Sequence, residues 1–283
     1  MRFILTSAAV ALMIGAIGAG ALGEEATVAG THYRLCLSHK QAGRLAEAIG
    51  ECQLAVKERP NYQAAHFTLG GLYRRQGSYP EAAAAFRQVT ELSPNNAPGF
   101  AMLGAIMLRE HRYEEAERAL RRAVELDNTD ASSHSNLALV LRHGGHPEEA
   151  LTHLSRAIEL DGTQALYFNN RGVVYRQLHR LPEAQQDLER AIQLEPDNAQ
   201  FHFDLAVIYR TQSHLDEAIR HYQEALRLNP NLAPALYDLG LMYQASGRVD
   251  EAVEALEHWL RLAGSREPTR AQDVQQRLGN LGH

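Results

Sequence analysis

Cysteine occurs twice in 283 residues and tryptophan once, and only 7% of the chain is aromatic. That supply is too thin for a disulfide framework or an aromatic-rich core, so any core must be made of Leu, Ala, Val and Ile, which favours closely packed helices. Surplus charge of one sign is missing as well. A net charge of −6 argues against general nucleic-acid binding, which needs a strongly basic surface to displace phosphate counterions. No G-x-S-x-G, P-loop or H-E-x-x-H stretch occurs, so catalytic chemistry has no recognisable anchor. What remains, 45% hydrophobic and 22% charged, is the composition of a chain that folds.

The first 23 residues, MRFILTSAAVALMIGAIGAGALG, carry one charge at Arg2 and are followed by Glu24 and Glu25. A charged start, an apolar run and small residues at Ala19 and Ala21 read as a secretory leader cut after Ala21 or Gly23, or else as an uncleaved N-terminal anchor. Either way the remainder is expected on the far side of a membrane, periplasmic or associated with a cell envelope, with 24–28 as a short linker. Membrane contact is expected only through that segment if it is uncut.

From Ala29 onward the chain restates itself every 34 residues, giving seven repeats at 29–62, 63–96, 97–130, 131–164, 165–198, 199–232 and 233–266 without insertion or deletion. Position 8 is always small: Cys36, Gly70, Gly104, Ala138, Gly172, Ala206 and Gly240. Position 20 is alanine throughout, from Ala48 to Ala252. Position 7 is Leu35, Leu69, Leu103, Leu137, Leu205 and Leu239, interrupted by Arg171. Large apolar residues recur with helical spacing on two segments of each repeat, so each repeat is a pair of helices. Gly43, Gly77, Gly145 and Gly247 close the first helix, and Pro80-Glu81, Pro147-Glu148 and Pro182-Glu183 open the second. Small residues at positions 8 and 20 predict a close approach of the two backbones. One pair cannot bury both faces, so neighbours must stack.

The run His66…Leu69-Gly70…Tyr73…Ala82…Phe86…Val89…Pro94 resembles the tetratricopeptide repeat, and the likeness extends over residues 29–266. It departs at position 4, where His32, His66, Phe100, His134, Phe168, His202 and Leu236 stand in place of Trp, and at position 32, where Asn128, Gly162 and Gly264 replace Pro. The resemblance implies an all-α fold, a right-handed α-solenoid of antiparallel helix pairs whose first helices make a concave, partner-binding wall. Residues 267–283 add a C-terminal capping helix with Ala271, Val274 and Leu278 on one stripe, under which Trp259 is expected to lie.

On that wall, position 5 offers Tyr33, Phe67, Phe203 and Tyr237, candidate apolar anchors for a helical or extended segment. Positions 12 and 13 offer Arg74, Arg75, Arg109, Arg142, Arg176 and Arg210, which either recognise carboxylates on a partner or simply favour the helix C-termini. Position 6 offers Asn136, Asn170, Asp204 and Asp238, similar to the asparagine ladder of some tetratricopeptide arrays, whereas the family's carboxylate clamp is missing. Cys36 and Cys52 sit at positions 8 and 24 of the first repeat, facing one another across the helix pair. They form either a disulfide that an exported protein permits, or two reduced buried side chains. Of the fourteen histidines, four occupy position 4, while His111 and His179 lie in the interhelix turn. Equivalent sites are about one helix layer, roughly 10 Å, apart, so no metal site and no cofactor is expected. The function implied is a non-catalytic scaffold or adaptor whose partner is a protein or peptide segment with apolar anchors and some acidic character. The alternatives are recruitment within a glycan or polysaccharide synthesis or export system, or direct binding of a carbohydrate or small ligand.

Overall fold

The computed structural model describes residues 27–282, so the expected leader lies outside the described residues. Among these, the chain forms helices and no strand. Contacts divide it into an N-terminal unit ending at Val140 and a C-terminal unit beginning at Leu141. The first unit holds α1 (Val28–Gln41), α2 (Leu45–Glu58), α3 (Gln63–Gln76), α4 (Tyr79–Leu92), α5 (Ala97–Arg109) and α6 (Tyr113–Leu126). The division falls inside α7 (Ala131–His143). The second unit continues with α8 (Pro147–Leu160), α9 (Ala165–Gln177), α10 (Leu181–Leu194), α11 (Ala199–Thr211), α12 (Leu215–Leu228), α13 (Ala233–Ala245), α14 (Val249–Ala263) and α15 (Pro268–Asn280). Within each unit every helix packs on the next in sequence, most extensively inside a repeat.

A left-handed residue ends every first helix. Position 15 has positive φ at Gly43 (72°), Gly77 (86°), His111 (58°), Gly145 (81°), His179 (58°), Ser213 (65°) and Gly247 (71°). The following N–H then reaches back five residues, as from Ser78 to the Tyr73 carbonyl (2.9 Å) and from Arg180 to that of Tyr175 (2.9 Å). This is the Schellman closure, and it satisfies carbonyls that the helix end would otherwise leave open. The second helix therefore starts at once, although its N-cap residue makes no side-chain cap in any repeat from Arg44 to Arg248.

The alanines at position 20 are fully buried in all seven repeats. Position 8, however, is kept small by position 24 rather than by position 20. A Cβ added at Gly70 would lie 2.9 Å from the Phe86 ring, at Gly104 2.5 Å from Leu120 Cγ, and at Gly240 2.7 Å from Leu256 Cγ. Each glycine is thus the socket for a large side chain from the partner helix. In the first repeat the same two positions are joined covalently, Cys36 to Cys52, with Cα atoms 5.2 Å apart.

Position 4 histidines use a donor that phenylalanine lacks. His66 Nε2 lies 2.8 Å from the Pro60 carbonyl oxygen, and His202 Nε2 lies 3.0 Å from that of Pro196. A carbonyl only accepts, so Nε2 carries the proton and ties the first helix to the end of the preceding second helix. At the C-terminus Trp259 is fully buried among Ala271, Val274 and Leu278 of α15.

Candidate functional site

The first helices of the N-terminal unit, α1, α3 and α5, contain Arg34, Lys40, Arg74, Arg75 and Arg109 and no Asp or Glu. Lys40, Arg74 and Arg75 are exposed and make no side-chain hydrogen bond or ion pair among the described residues. The Arg109 guanidinium lies 4.5 Å over the Tyr79 ring. Acidic residues of this unit sit in second helices and turns; arginines hold some of them, as in Arg112 Nε to Glu115 Oε1 (2.7 Å) and Arg121 Nε to Glu117 Oε1 (2.8 Å), and Glu51 lies 2.7 Å from His32 Nδ1 of α1. The Arg112 hydrogen bond keeps the Glu115 carboxyl below the usual range. Tyr33 and Phe67 are half-buried: the Tyr33 hydroxyl meets Thr68 Oγ1 at 3.1 Å, and the Phe67 ring packs edge-on against Phe86. Both spend part of their surface joining helices. Asn136 on α7 is also half-buried.

In the C-terminal unit the arginines and the acids meet. Position 12 of one repeat faces position 6 of the next, 28 residues on. Arg210 Nη2 lies 3.6 Å from Asp238 Oδ2, which also accepts a hydrogen bond from the Tyr222 hydroxyl at 3.0 Å. Burial, then the Asp238 charge, pushes the Tyr222 phenol well above its ordinary value. One repeat earlier, Asp204 is 9% exposed, accepts from Gln200 Nε2 (3.1 Å) and from Asn169, and lies within electrostatic range of Arg176 and Arg142. Burial outweighs these partners and raises its carboxyl above the usual range. Beside it, Asn169 Oδ1 and Asn170 Nδ2 are buried without a hydrogen-bond partner. Phe203 tilts against Tyr222, and Tyr237 against Trp259, the Tyr237 hydroxyl lying 3.4 Å from Asp273 Oδ2.

The structure therefore draws Arg142, Arg176, Arg210, Asn170, Asp204 and Asp238 into one polar wall, joined by Asn169 of the position 5 column and by Gln200 and Tyr222, which periodicity did not single out. The 28-residue offset between an arginine and the next acid was the signal that could have found the pairing. Tyr222 sat hidden at position 24, among residues read as core. Among the described residues no group of three His, Cys, Asp or Glu side chains is arranged to hold a metal ion, and no helix is long and apolar enough to cross a membrane.

Paired helices repeating at 34 residues, each first helix socketing a side chain of the second, define an α-solenoid of helix–turn–helix repeats. A family model described as the Cilia and flagella-associated protein 70 C-terminal domain, a tetratricopeptide-repeat model, matches residues 6–235, and a Tetratricopeptide repeat model matches 209–278. The chain belongs to the tetratricopeptide repeat family. No curated protein sequence matches it. A tetratricopeptide repeat protein from Parabacteroides merdae has a similar structure, with TM-score 0.69 at 12% identity over 90% of this chain and 99% of that one. Pseudomonas aeruginosa pilF gives TM-score 0.62 at 20% identity over 78% and 96%. YrrB, described as a TPR protein with an unusual peptide-binding site, gives 0.55 at 20% over 66% and 96%. At these identities the likeness is one of fold.

Proposed function

We propose that this protein is a non-catalytic scaffold that holds a helical or extended segment of another protein against its first helices and so assembles a larger complex. One observation carries the reading. Asn169 and Asn170 present a buried acceptor and a buried donor with no partner, on the wall that also holds Arg142 and Arg176. An unsatisfied buried polar atom costs about 1–3 kcal/mol, a cost that a bound segment supplying the missing partner would remove. Adjacent donor and acceptor amides match a peptide group, which needs one of each. The peptide-binding site in YrrB's description supports the same class of partner. The apolar, singly charged leader supports an exported, envelope-facing location.

A photo-crosslinking residue placed at Arg176 on the wall, and separately at exposed Gln186 on α10, tests the proposal in cells. A discrete protein adduct from position 176 and none from 186 is expected. Equal adduct patterns from the two positions would refute use of the wall. If the dominant adduct is a glycan synthase, the complex assembled is a polysaccharide-making one.

A further inference from the structure

We infer that the two units recognise chemically different parts of a partner: the first helices of the N-terminal unit take an acidic stretch of polypeptide, and Asp204 and Asp238 exclude such a stretch from the C-terminal wall. This rests on the scaffold reading and adds the partner's charge pattern to it. The argument begins with charge segregation. The chain is acidic overall, at −6, yet α1, α3 and α5 carry five cations and no anion. Lys40, Arg74, Arg75 and Arg109 lie in the last turns of their helices, where the dipole favours a cation, but the dipole does not account for the lack of a facing acid. Acids of this unit stand on other helices and turns, and Glu115 and Glu117 are paired there with Arg112 and Arg121. Lys40, Arg74 and Arg75 stand exposed with no acid on them among the described residues, so carboxylates arriving on a flexible segment meet one ammonium and two guanidinium groups, the latter suited to two-point hydrogen bonding.

In the C-terminal unit the same register positions hold Arg142, Arg176 and Arg210, and the next repeat answers the first with Asn170 and the other two with acids. Arg210 faces Asp238 at 3.6 Å, and Arg176 lies beside Asp204. In the N-terminal unit the residues 28 positions after Lys40 and Arg74 are Thr68 and Met102, which cannot compete for the cation. An anionic segment entering the C-terminal wall must therefore share its arginines with a carboxylate already present, and it meets like charge. A neutral segment bonding through its backbone pays no such penalty there. Asp204 and Asp238 are thus specificity-determining residues on a wall that otherwise resembles its neighbour.

The test uses the full chain and fluorescein-labelled hexaglutamate, followed by anisotropy at low salt. One peptide is expected to bind wild type, with affinity falling as salt rises. Arg74→Glu with Arg75→Glu, on two exposed side chains, is expected to weaken binding at least about tenfold. Asp204→Asn with Asp238→Asn is expected to raise the stoichiometry to two. Asp238→Asn alone serves if the double variant does not fold. Unchanged affinity in the arginine variant, or unchanged stoichiometry in a folded aspartate variant, overturns the inference. If hexaglutamate fails to bind wild type while the crosslink from position 176 persists, the charge assignment falls and the scaffold reading stands.

Discussion

Arg171 occupies the column that is leucine in the other six repeats, and replacing its partner Asp187 with alanine should be among the most damaging single changes. Arg171 donates to Asp187 through Nε (2.7 Å) and Nη2 (2.8 Å), and through Nη1 to Ser155 Oγ (3.2 Å). The guanidinium also lies 5.9 Å from the Phe168 ring and 5.8 Å from that of Tyr175. Asp187 is 5% exposed and the Arg171 side chain 20% exposed. The Asp187 hydrogen bonds raise the guanidinium's proton affinity against the opposing effect of burial. Removing the carboxylate strands a largely desolvated cation, which costs about 3–5 kcal/mol. Replacing both partners, Arg171→Leu with Asp187→Leu, restores the apolar column and is expected to be neutral or stabilising by up to about 4 kcal/mol. Urea unfolding read by the fluorescence of Trp259, which is fully buried in the same unit, measures both variants. The reasoning fails if Asp187→Ala costs under about 1 kcal/mol, or if the double replacement is as harmful as the single one.

Gly104→Ala, whose new methyl would fall 2.5 Å from Leu120 Cγ, should lose about 1–3 kcal/mol despite alanine's better helix propensity. Gly71→Ala, with nothing within 4 Å, should gain roughly 0.5–1 kcal/mol in the same denaturation assay. Reducing the Cys36–Cys52 bond, which spans 16 residues, should cost the N-terminal unit about 3 kcal/mol in the chain-entropy view, seen as a lower melting temperature with reductant. Cys36→Ala with Cys52→Ala should then melt alike with and without reductant. His221 sits with its Nδ1 3.1 Å from that of His202, and burial first, then the charges of His202 and Arg220, lowers its pKa from 6.5. Above pH 6.5 both folded and unfolded states leave it neutral. As pH falls through 6.5 the unfolded chain takes a proton that the folded ring refuses, so this site loses stability on acidification until the lower folded pKa is passed. His221→Gln should flatten the slope of stability between about pH 7 and pH 5, and an unchanged slope would refute the assignment.

Helix pairing and repeat length were legible because each is a periodic constraint written along the chain, and so was the facing of Cys36 and Cys52, whereas their bond was left open until the structure joined them. Seven alanines at position 20 allow one register only, and two cysteines at positions 8 and 24 face each other in any antiparallel pair of that register. The turn was half legible. Four glycines announced a left-handed residue, whereas His111, His179 and Ser213 adopt the same φ without a residue type that requires it, because the Schellman bonds on either side fix the backbone. The wall was legible as columns but not as contacts. Position 6 and position 12 lie in different repeats, and whether Asp238 answers Arg210 depends on the stacking offset between them, which no single repeat encodes.

That offset also explains how one scaffold separates stability from recognition. Residues that hold a repeat together, at positions 8, 20 and 24, face the partner helix and are buried, so changes there are felt in packing, as the distances at Gly104 and Gly240 show. Residues at positions 6 and 12 meet only at the seam between successive first helices, where Lys40 and Arg74 stand exposed, with Arg75 beside them at position 13, and single changes cost little. Exchanging Thr68 or Met102 for the acid found at Asp204 and Asp238 would neutralise one seam while leaving the sockets untouched. Charge along the wall can therefore vary repeat by repeat against a fixed backbone, as the contrast between the unopposed arginines of α3 and the countered ones of α9 and α11 shows.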